Sequence, residues 1–503
     1  MKTPNRLNFN ELKDFYTTYK EKIASYDYIF SVTSYYNESN APKDGVPYGI
    51  DMISLSEEDY FDYVTNPEYI ANIEALYQLT TDELNKKELA LRLRSLHEIS
   101  KLPKDVYLDF EKSASESALV WEEALEKNDY NLFKPHLISM IEKQKNILTY
   151  YGDNVGYDFL LDEFETGMTR EKYEPFFAEI KEKLVPVIHA IKERGRTIDN
   201  SILKQSFSIK GQKDFTEELK EALHMNPRQT LLLESVHPYC SEFSTKDSRF
   251  TTHYREFDVM SSILSVAHEY GHALYGLQID ETFEKTMFIS ELGSAMHESQ
   301  SRLIENHIAM RPSFWKGLYP KLQAQFLNQL GTLAFDDFMD KINISTPSFI
   351  RTAADELTYP LHVLIRYEIE KQIFDGTINY DTLDILWADK YEEYLGIRPA
   401  THSEGILQDV HWSEALFGYF PTYALGSAFA AQFFAQMQKD IDVDGFLEAG
   451  RFDKIALWLK ENVHQYGSSK SYDEILLKAT GETFNPRYYT EYLVEKYTTL
   501  YKL

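Results

Sequence analysis

The chain is expected to be mainly α-helical with one small β-sheet, and three observations carry that expectation. Only 21 glycines and 17 prolines occur in 503 residues, where average usage of the two would be roughly 12%, so chain-breakers are scarce. Apolar residues recur at helical spacing between short polar connectors over most of the length. One stretch, Gln229 to Tyr254, differs: it mixes apolar runs with Thr, Ser and Phe around the turn-like Lys246-Asp247-Ser248.

From Asn8 to about Leu203 the pattern reads as a series of amphipathic helices. Thr81 to Ser100 places Leu84, Leu89, Leu91, Leu93 and Leu96 between charges. Ser113 to Glu126 repeats the pattern with Trp121 and Leu125 as apolar anchors, and Pro175 to Lys192 does so with Phe177, Ile180, Leu184 and Ile188. Breaks fall at Asn37 to Gly49 and at Gly152 to Gly156, both rich in turn residues. No low-complexity linker or tandem repeat marks an independent unit, so residues 1–503 are read as a single domain. Gln229 to Tyr254 forms a hairpin or small sheet, and helices resume from Val259 to the C-terminus.

Composition narrows function before any motif does. Asp and Glu number 80 against 52 Lys and Arg, a formal net charge of −28. Nucleic-acid binding draws most of its affinity from clustered cations, so this surplus argues against it and against docking on anionic lipid. An apolar fraction of 43% with 14% aromatics supplies a large core and rules out disorder as the dominant state. Cys240 is the only cysteine, which excludes an intrachain disulfide. The opening MKTPNRLNFNELKDFY has no apolar signal-like run. The longest apolar stretch, Leu425 to Met437, is short and interrupted by Ser427, Gln432 and Gln436, below the roughly 20 residues of a membrane span. A soluble, cytoplasmic protein is expected.

The segment His268-Glu269-Tyr270-Gly271-His272 is an instance of His-Glu-x-x-His inside the helical run Met260 to Leu277. Four residues of α-helix advance 400°, so His268 and His272 lie one above the other and can offer two imidazoles to one zinc. Glu269 sits beside that face, where it can act as general base toward a zinc-bound water. Met260, Ile263, Leu264, Val266, Ala267, Ala273 and Leu274 make the helix a buried one, where two unpaired histidines would be costly.

The third ligand lies elsewhere. The metzincin extension would need Gly at 275 and His at 278, and Tyr275 and Gln278 stand there. The segment Gly293 to Met310 offers Glu298, which two antiparallel helices joined by Gln278 to Leu292 would bring opposite the histidines. Glu298, Arg302 and Glu305 share one helical stripe, so Arg302 can orient its neighbours. His297 is the rival ligand, pointing about 100° away from Glu298; Glu298 is favoured.

These residues resemble the thermostable carboxypeptidase (Taq-like) family of zinc metallocarboxypeptidases. The matching motifs run in the family's order. His237-Pro238-Tyr239 stands for His-Pro-Phe, and Asp247 to Thr251 for Asp-x-Arg-x-Thr. His268 to His272 follows, then His297-Glu298-Ser299-Gln300, Ile350 to Asp355 for Ile-Arg-x-x-Ala-Asp, and Gly405 to Trp412 for Gly-x-x-Gln-Asp-x-His-Trp. Tyr239 for Phe is the one departure, adding a hydroxyl. The resemblance implies a two-lobed helical protein with a long groove and zinc on its floor. Residues 1–203 would form a helical wall or lid, and residues 204–503 the zinc-binding catalytic part. It also implies a homodimer and release of single C-terminal residues from peptides with broad side-chain tolerance. One Zn2+ per chain is expected, with Co2+ able to substitute.

Peptide hydrolysis also needs oxyanion stabilisation and a proton for the leaving amine. By similarity to related helical zinc peptidases, Tyr423 with His411 close by is the oxyanion candidate, against the alternative that Tyr423 is one of 36 ordinary tyrosines. A free carboxylate calls for a fixed, bidentate cation. Arg351 is slightly favoured, with Arg249 sharing the task or limiting substrate length; either could instead serve a structural ion pair. Asp247, Asp355 and Asp409 are expected to hold these arginines and His411. His237 either lines the pocket or is a hydrogen-bonded structural histidine. Cys240 reads as a small buried hydrophobe rather than a nucleophile. Two alternatives remain open: a zinc oligopeptidase or dipeptidyl carboxypeptidase on a similar fold, and an inactive binding protein that keeps a zinc motif.

Overall fold

The computed structural model describes residues 7–152, 155–290 and 292–503. Residues 1–6 of the polar N-terminal stretch, 153–154 of the Gly152 to Gly156 break, and 291 of the Gln278 to Leu292 connector lie outside the described residues.

The protein is mainly helical with one three-stranded sheet. Among the described residues, nine α-helices precede the sheet: α1 (Phe9–Ser39), α2 (Val46–Val64), α3 (Pro67–Leu79), α4 (Glu83–Ile99), α5 (Lys104–Lys127), α6 (Tyr130–Tyr151), α7 (Tyr157–Phe164), α8 (Arg170–Arg194) and α9 (Ile209–Ala222). Their starts follow local chemistry. Asn8 and Glu11 form a capping box on α1, and Asn66 and Asp82 cap α3 and α4.

The Gln229 to Tyr254 segment contains β1 (Thr230–Glu234), β2 (Cys240–Ser244) and β3 (Asp247–Thr252) in the order β1-β3-β2. β2 and β3 form the expected hairpin, with Ser241 opposite Arg249; β1 adds in parallel to β3, with Leu232 opposite Phe250. The hairpin turn is Thr245-Lys246, one residue earlier than the turn-like Lys246 to Ser248, because Asp247 already belongs to β3. Phe250, fully buried on β3, packs its ring 6.3 Å from that of Tyr270 in the next helix.

That helix is α10 (Val259–Gln278), started by Asp258, whose carboxylate accepts from the Ser261 N–H. There follow the short α11 (Met287–Ser290), α12 (Ser294–Arg302) and a π-helical segment over Leu303–Ala309. Then come α13 (Pro312–Gln325), α14 (Leu327–Leu330), α15 (Phe335–Ile342), α16 (Tyr359–Phe374), α17 (Leu383–Leu395) and α18 (Phe420–Asp440). The last four are α19 (Val443–Glu448), α20 (Phe452–Asn462), α21 (Tyr472–Thr480) and α22 (Arg487–Tyr501). The longest stretch after the sheet that departs from the helical reading lies just before α18. Residues 396–419 contain no α-helix, since Gln408, Asp409, His411 and Trp412 within it reach in different directions to four sets of partners.

Among the described residues, two hydrophobic cores result. A small one joins α1, α2, α3 and α4 through Leu12, Tyr16, Tyr19, Ile23, Val64, Ile73, Leu76, Leu89, Leu93 and Leu96. The large one runs from Ala124 to Tyr501 and contains α10, α12 and α18. Glycine sets the spacing of these three helices. A Cβ at Gly271 would lie 2.5 Å from Ser301 Cα and 2.6 Å from the Gln300 carbonyl oxygen, and one at Gly426 would lie 2.8 Å from Glu298 Cβ. Thus α12 is pressed between α10 on one side and α18 on the other. Gly271→Ala is expected to cost at least about 1–3 kcal/mol through overpacking against backbone that cannot move aside. Urea unfolding of the metal-free protein checks this; an unchanged midpoint would show that α10 and α12 can separate freely.

The start of α12 is held from a distance. Gly293 at its N-cap offers no side chain, and the Ala295 and Met296 N–H groups donate instead to Glu165 Oε2 at 2.9 and 3.1 Å. Burial pushes the Glu165 carboxyl up to about 7, against the pull of those two N–H groups.

Candidate active site

α10 and α12 bring the expected triad together. His268 Nε2 and His272 Nε2 lie 3.7 and 3.4 Å from Glu298 Oε2. One ligand atom from each of the three residues falls within 4.8 Å of the others, the one such His, Cys, Asp or Glu group among the described residues. Two imidazole nitrogens and a carboxylate oxygen converging in a largely buried site form the donor set that suits a tetrahedral zinc with one open position. The residues therefore fit the metal that the motif implies.

Their surroundings are equally ordered. His268 Nδ1 lies 2.9 Å from Glu305 Oε2, the carboxylate partner that fixes a ligating imidazole. Arg302 donates from Nε to Glu298 Oε1 at 2.7 Å and from Nη1 to Glu305 Oε2 at 3.1 Å. The stripe of Glu298, Arg302 and Glu305 thus operates as expected, although Glu305 lies in the π-helical segment. Burial would raise the Glu298 carboxyl, but Arg302 and the two histidines outweigh it and hold the group well below the usual carboxylate range. Glu269 is 7% exposed. Burial pushes its carboxyl up to about 7, His268 opposes, and the Glu298 and Glu305 charges add to the rise.

His297, the rival ligand, is turned away from the triad: its Nε2 lies 3.0 Å from Glu242 Oε1 on β2. Its ring stacks on that of His272, with centroids 4.4 Å apart and planes 20° from parallel.

The residues expected around the reacting bond form a second group. His411 Nε2 lies 3.1 Å from the Tyr423 hydroxyl near the start of α18. Burial and the nearby Arg351 lower the His411 imidazole to about 3, so it is neutral near neutral pH. Arg351 donates from Nε to Asp409 Oδ1 at 3.0 Å and from Nη1 to the Tyr359 hydroxyl at 3.0 Å, with its guanidinium carbon 4.8 Å from the Tyr423 ring centre. Asp409 also receives Arg366 through Nε and Nη2 at 2.8 and 2.6 Å. The motifs around Arg351 and Asp409 therefore interlock, and Tyr359 links them to the metal centre, because Arg302 lies 4.3 Å over the same Tyr359 ring.

Arg249 stands apart on β3. Asp247 holds it through Nε and Nη2 at 3.0 and 2.6 Å, and its guanidinium lies 4.3 Å over Phe243. Asp355 does not hold an arginine as expected; its carboxylate accepts from the Thr346, Leu357 and Thr358 N–H groups and shapes the turn before α16. The His237 side chain is exposed, and its imidazole makes no hydrogen bond among the described residues; its backbone carbonyl accepts from the Ser235 hydroxyl. Cys240 is held among Ser248 and Glu242, and burial raises its thiol far above the ordinary range, in keeping with an inert cysteine. The additional hydroxyl of Tyr239 donates to the Tyr35 carbonyl of α1 at 3.3 Å.

Three residues of this site carried no distinct signal in the sequence. Tyr359 and Tyr419 are two tyrosines among 36. The Tyr419 ring lies 5.2 Å from that of Tyr423, and burial together with the Glu298 charge lifts its hydroxyl to about 12. Glu242 was one acidic residue in a strand.

A mainly helical protein with a paired-histidine, single-carboxylate centre and a base beside it is a metallopeptidase of the His-Glu-x-x-His type. The chain belongs to the carboxypeptidase Taq (M32) metallopeptidase family, whose sequence profile matches residues 15–497. It is 39% identical over 495 residues to carboxypeptidase 1 of Bacillus subtilis (strain 168), covering 98% of this chain and 99% of that one. It is 34% identical over 498 residues to thermostable carboxypeptidase 1 of Pyrococcus furiosus, covering 95% and 98%. The solved structure of Trypanosoma cruzi metallocarboxypeptidase 1 superposes with a TM-score of 0.92 at 29% identity, over 99% of this chain and 100% of that one. The protein is accordingly a metallocarboxypeptidase that releases C-terminal amino acids from peptides.

Proposed function

We propose that the protein removes single residues, with broad side-chain tolerance, using one zinc per chain held by His268, His272 and Glu298, with Co2+ able to replace it. The convergence of those three ligand atoms within 4.8 Å, one residue from a buried carboxylate, carries this reading. The chemistry supplied by zinc at such residues is polarisation of the scissile carbonyl and a water pKa lowered to roughly 7. Glu269 takes the proton of the attacking water on its carboxylate and passes it to the departing amine nitrogen. The Tyr423 hydroxyl, 3.1 Å from His411 Nε2, donates to the developing oxyanion; in the His411 tautomer that carries its proton on Nε2, that N–H donates to the Tyr423 oxygen and leaves the Tyr423 proton free for the bond.

Arg351 anchors the substrate's terminal carboxylate with the N–H groups not engaged by Asp409 and Tyr359, and Arg249 and His237 contact the substrate farther along the sheet. The position of Arg351 against Tyr423 and Tyr359 supports this division, since it sets a cation beside the oxyanion donor. Residues 1–203 act as wall or lid of a groove between two lobes, and 204–503 as the catalytic part. A homodimer belongs to the same reading by resemblance, and a cytoplasmic location by the single cysteine. No helix among the described residues is long and apolar enough to cross a membrane.

A blocked N-acyl tetrapeptide tests the reaction: the zinc form is expected to release single amino acids first, and dipeptides would overturn the assignment. Arg351→Ala is expected to raise KM for that peptide while leaving its C-terminally amidated counterpart, already poor, unchanged. Equal losses on both would remove the anchor role.

A further inference from the structure

The two histidines of α10 are steadied by different devices. His268 has a carboxylate on its second ring nitrogen, supplied by Glu305. His272 does not: its Nδ1 is buried and makes no hydrogen bond among the described residues. A ligating imidazole whose other nitrogen is unpartnered is free to twist, and twisting displaces the lone pair offered to the metal.

Among the described residues, the one ring stacked on His272 is that of His297, 4.4 Å away and 20° from parallel. His297 is in turn pinned by Glu242, whose Oε1 lies 3.0 Å from His297 Nε2. Glu242 belongs to β2, an outer strand of the sheet, and the pairing of β2 with β3 shifts register between Glu242 and Ser244. Such irregularities re-aim side chains. The helix also makes room for it: a Cβ at Gly276, one turn beyond His272, would lie 2.4 Å from Glu242 Cγ. Strand, carboxylate, imidazole and imidazole thus form one contiguous stack from the sheet to the metal centre.

We propose that Glu242 is a positioning residue, which acts through His297 to hold the His272 ring in its metal-binding orientation in place of the missing hydrogen bond. The inference rests on His272 being a metal ligand. It explains why His297 approaches a metal site without joining it, and why α10 carries glycine at 276.

Zinc affinity of the metal-free full-length protein, measured by competition with a chromophoric chelator, tests it. Glu242→Gln is expected to weaken zinc binding about 10- to 100-fold, the range found when the outer partner of a ligating histidine is removed. His297→Phe, which can stack but cannot be pinned, is expected to weaken it less than His297→Ala, which can do neither. The visible spectrum of the cobalt-loaded Glu242→Gln protein is expected to shift, while KM at saturating metal stays at the wild-type value. The thermal midpoint of each metal-free variant shows whether it folds, and the His297 pair carries the test if Glu242→Gln does not. Wild-type zinc affinity in the folded Glu242→Gln, or equal affinities for His297→Phe and His297→Ala, would overturn the proposal. His272→Ala separates the two readings: undiminished zinc binding there would remove the ligand assignment itself, whereas loss of zinc there with wild-type affinity in the other variants would remove only the role of Glu242.

Discussion

Glu269→Gln is expected to lower kcat by about 10²- to 10⁴-fold, the usual contribution of a positioned general base, while the protein keeps its full metal content. Glutamine preserves the shape of a side chain that is 7% exposed on α10, so neighbouring packing survives. What it loses is an oxygen able to hold a proton between attack and departure of the amine. His268, His272, Glu298, Arg302 and Glu305 keep their mutual contacts in this variant, because none of their hydrogen bonds involves Glu269. Turnover of the blocked tetrapeptide, with metal content measured on the same sample, gives the result directly. A variant that retains its metal and turns over within about tenfold of wild type would place the base on another group.

The second large effect falls on stability. Asp409→Asn is expected to cost about 3–5 kcal/mol, as for loss of one member of a buried ionic cluster. Asp409 is the carboxylate between Arg351 and Arg366, and Arg366 is fully buried. Removing the charge leaves two guanidinium groups facing each other with no counter-ion, and the amide's NH2 must meet one of them. Burial alone would raise the Asp409 carboxyl, but the two arginines outweigh burial and hold it far below its ordinary value. Its stabilising effect is therefore fully present above about pH 4 and is lost only as pH falls through the depressed native value. Urea unfolding at pH 7 should show the whole deficit, and the gap between wild type and variant should close only in strong acid. A deficit below about 1 kcal/mol at pH 7 would mean that solvent or Tyr359 already screens the arginines.

Much of this site was legible because helices turn sequence spacing into direction. His268 and His272 four apart, and Glu298, Arg302 and Glu305 on one stripe, meet as helical geometry requires. The pairing of Arg351 with Asp409 was suggested by their motifs and is present at 3.0 Å. Contacts between distant segments without shared periodicity were not legible. Arg366 meets Asp409 across 43 residues, Glu242 meets His297 across 55, and Glu165 caps α12 from 130 residues upstream. Nothing in the local pattern around Glu165 or Glu242 distinguishes a buried, directed carboxylate from a solvated one in a chain with 80 acidic residues. The parallel addition of β1 was equally hidden, since strand pairing depends on how the chain returns rather than on composition. The loop over residues 396–419 escaped the helical reading because its conformation is dictated by side chains that must reach separate partners.

The small core that joins α1, α2, α3 and α4 is separate from the large core around the metal-binding helices. Toward the sheet, α1 is joined by edge-on aromatic contacts of Tyr28 with Phe243 and of Tyr35 with Tyr239 and Phe243, and by the Tyr239 hydroxyl. Regions stabilised by different cores open with different free energies. The four-helix unit and the part that holds His268, His272 and Glu298 are therefore expected to open at different temperatures on warming, so that loss of the one need not accompany loss of the other.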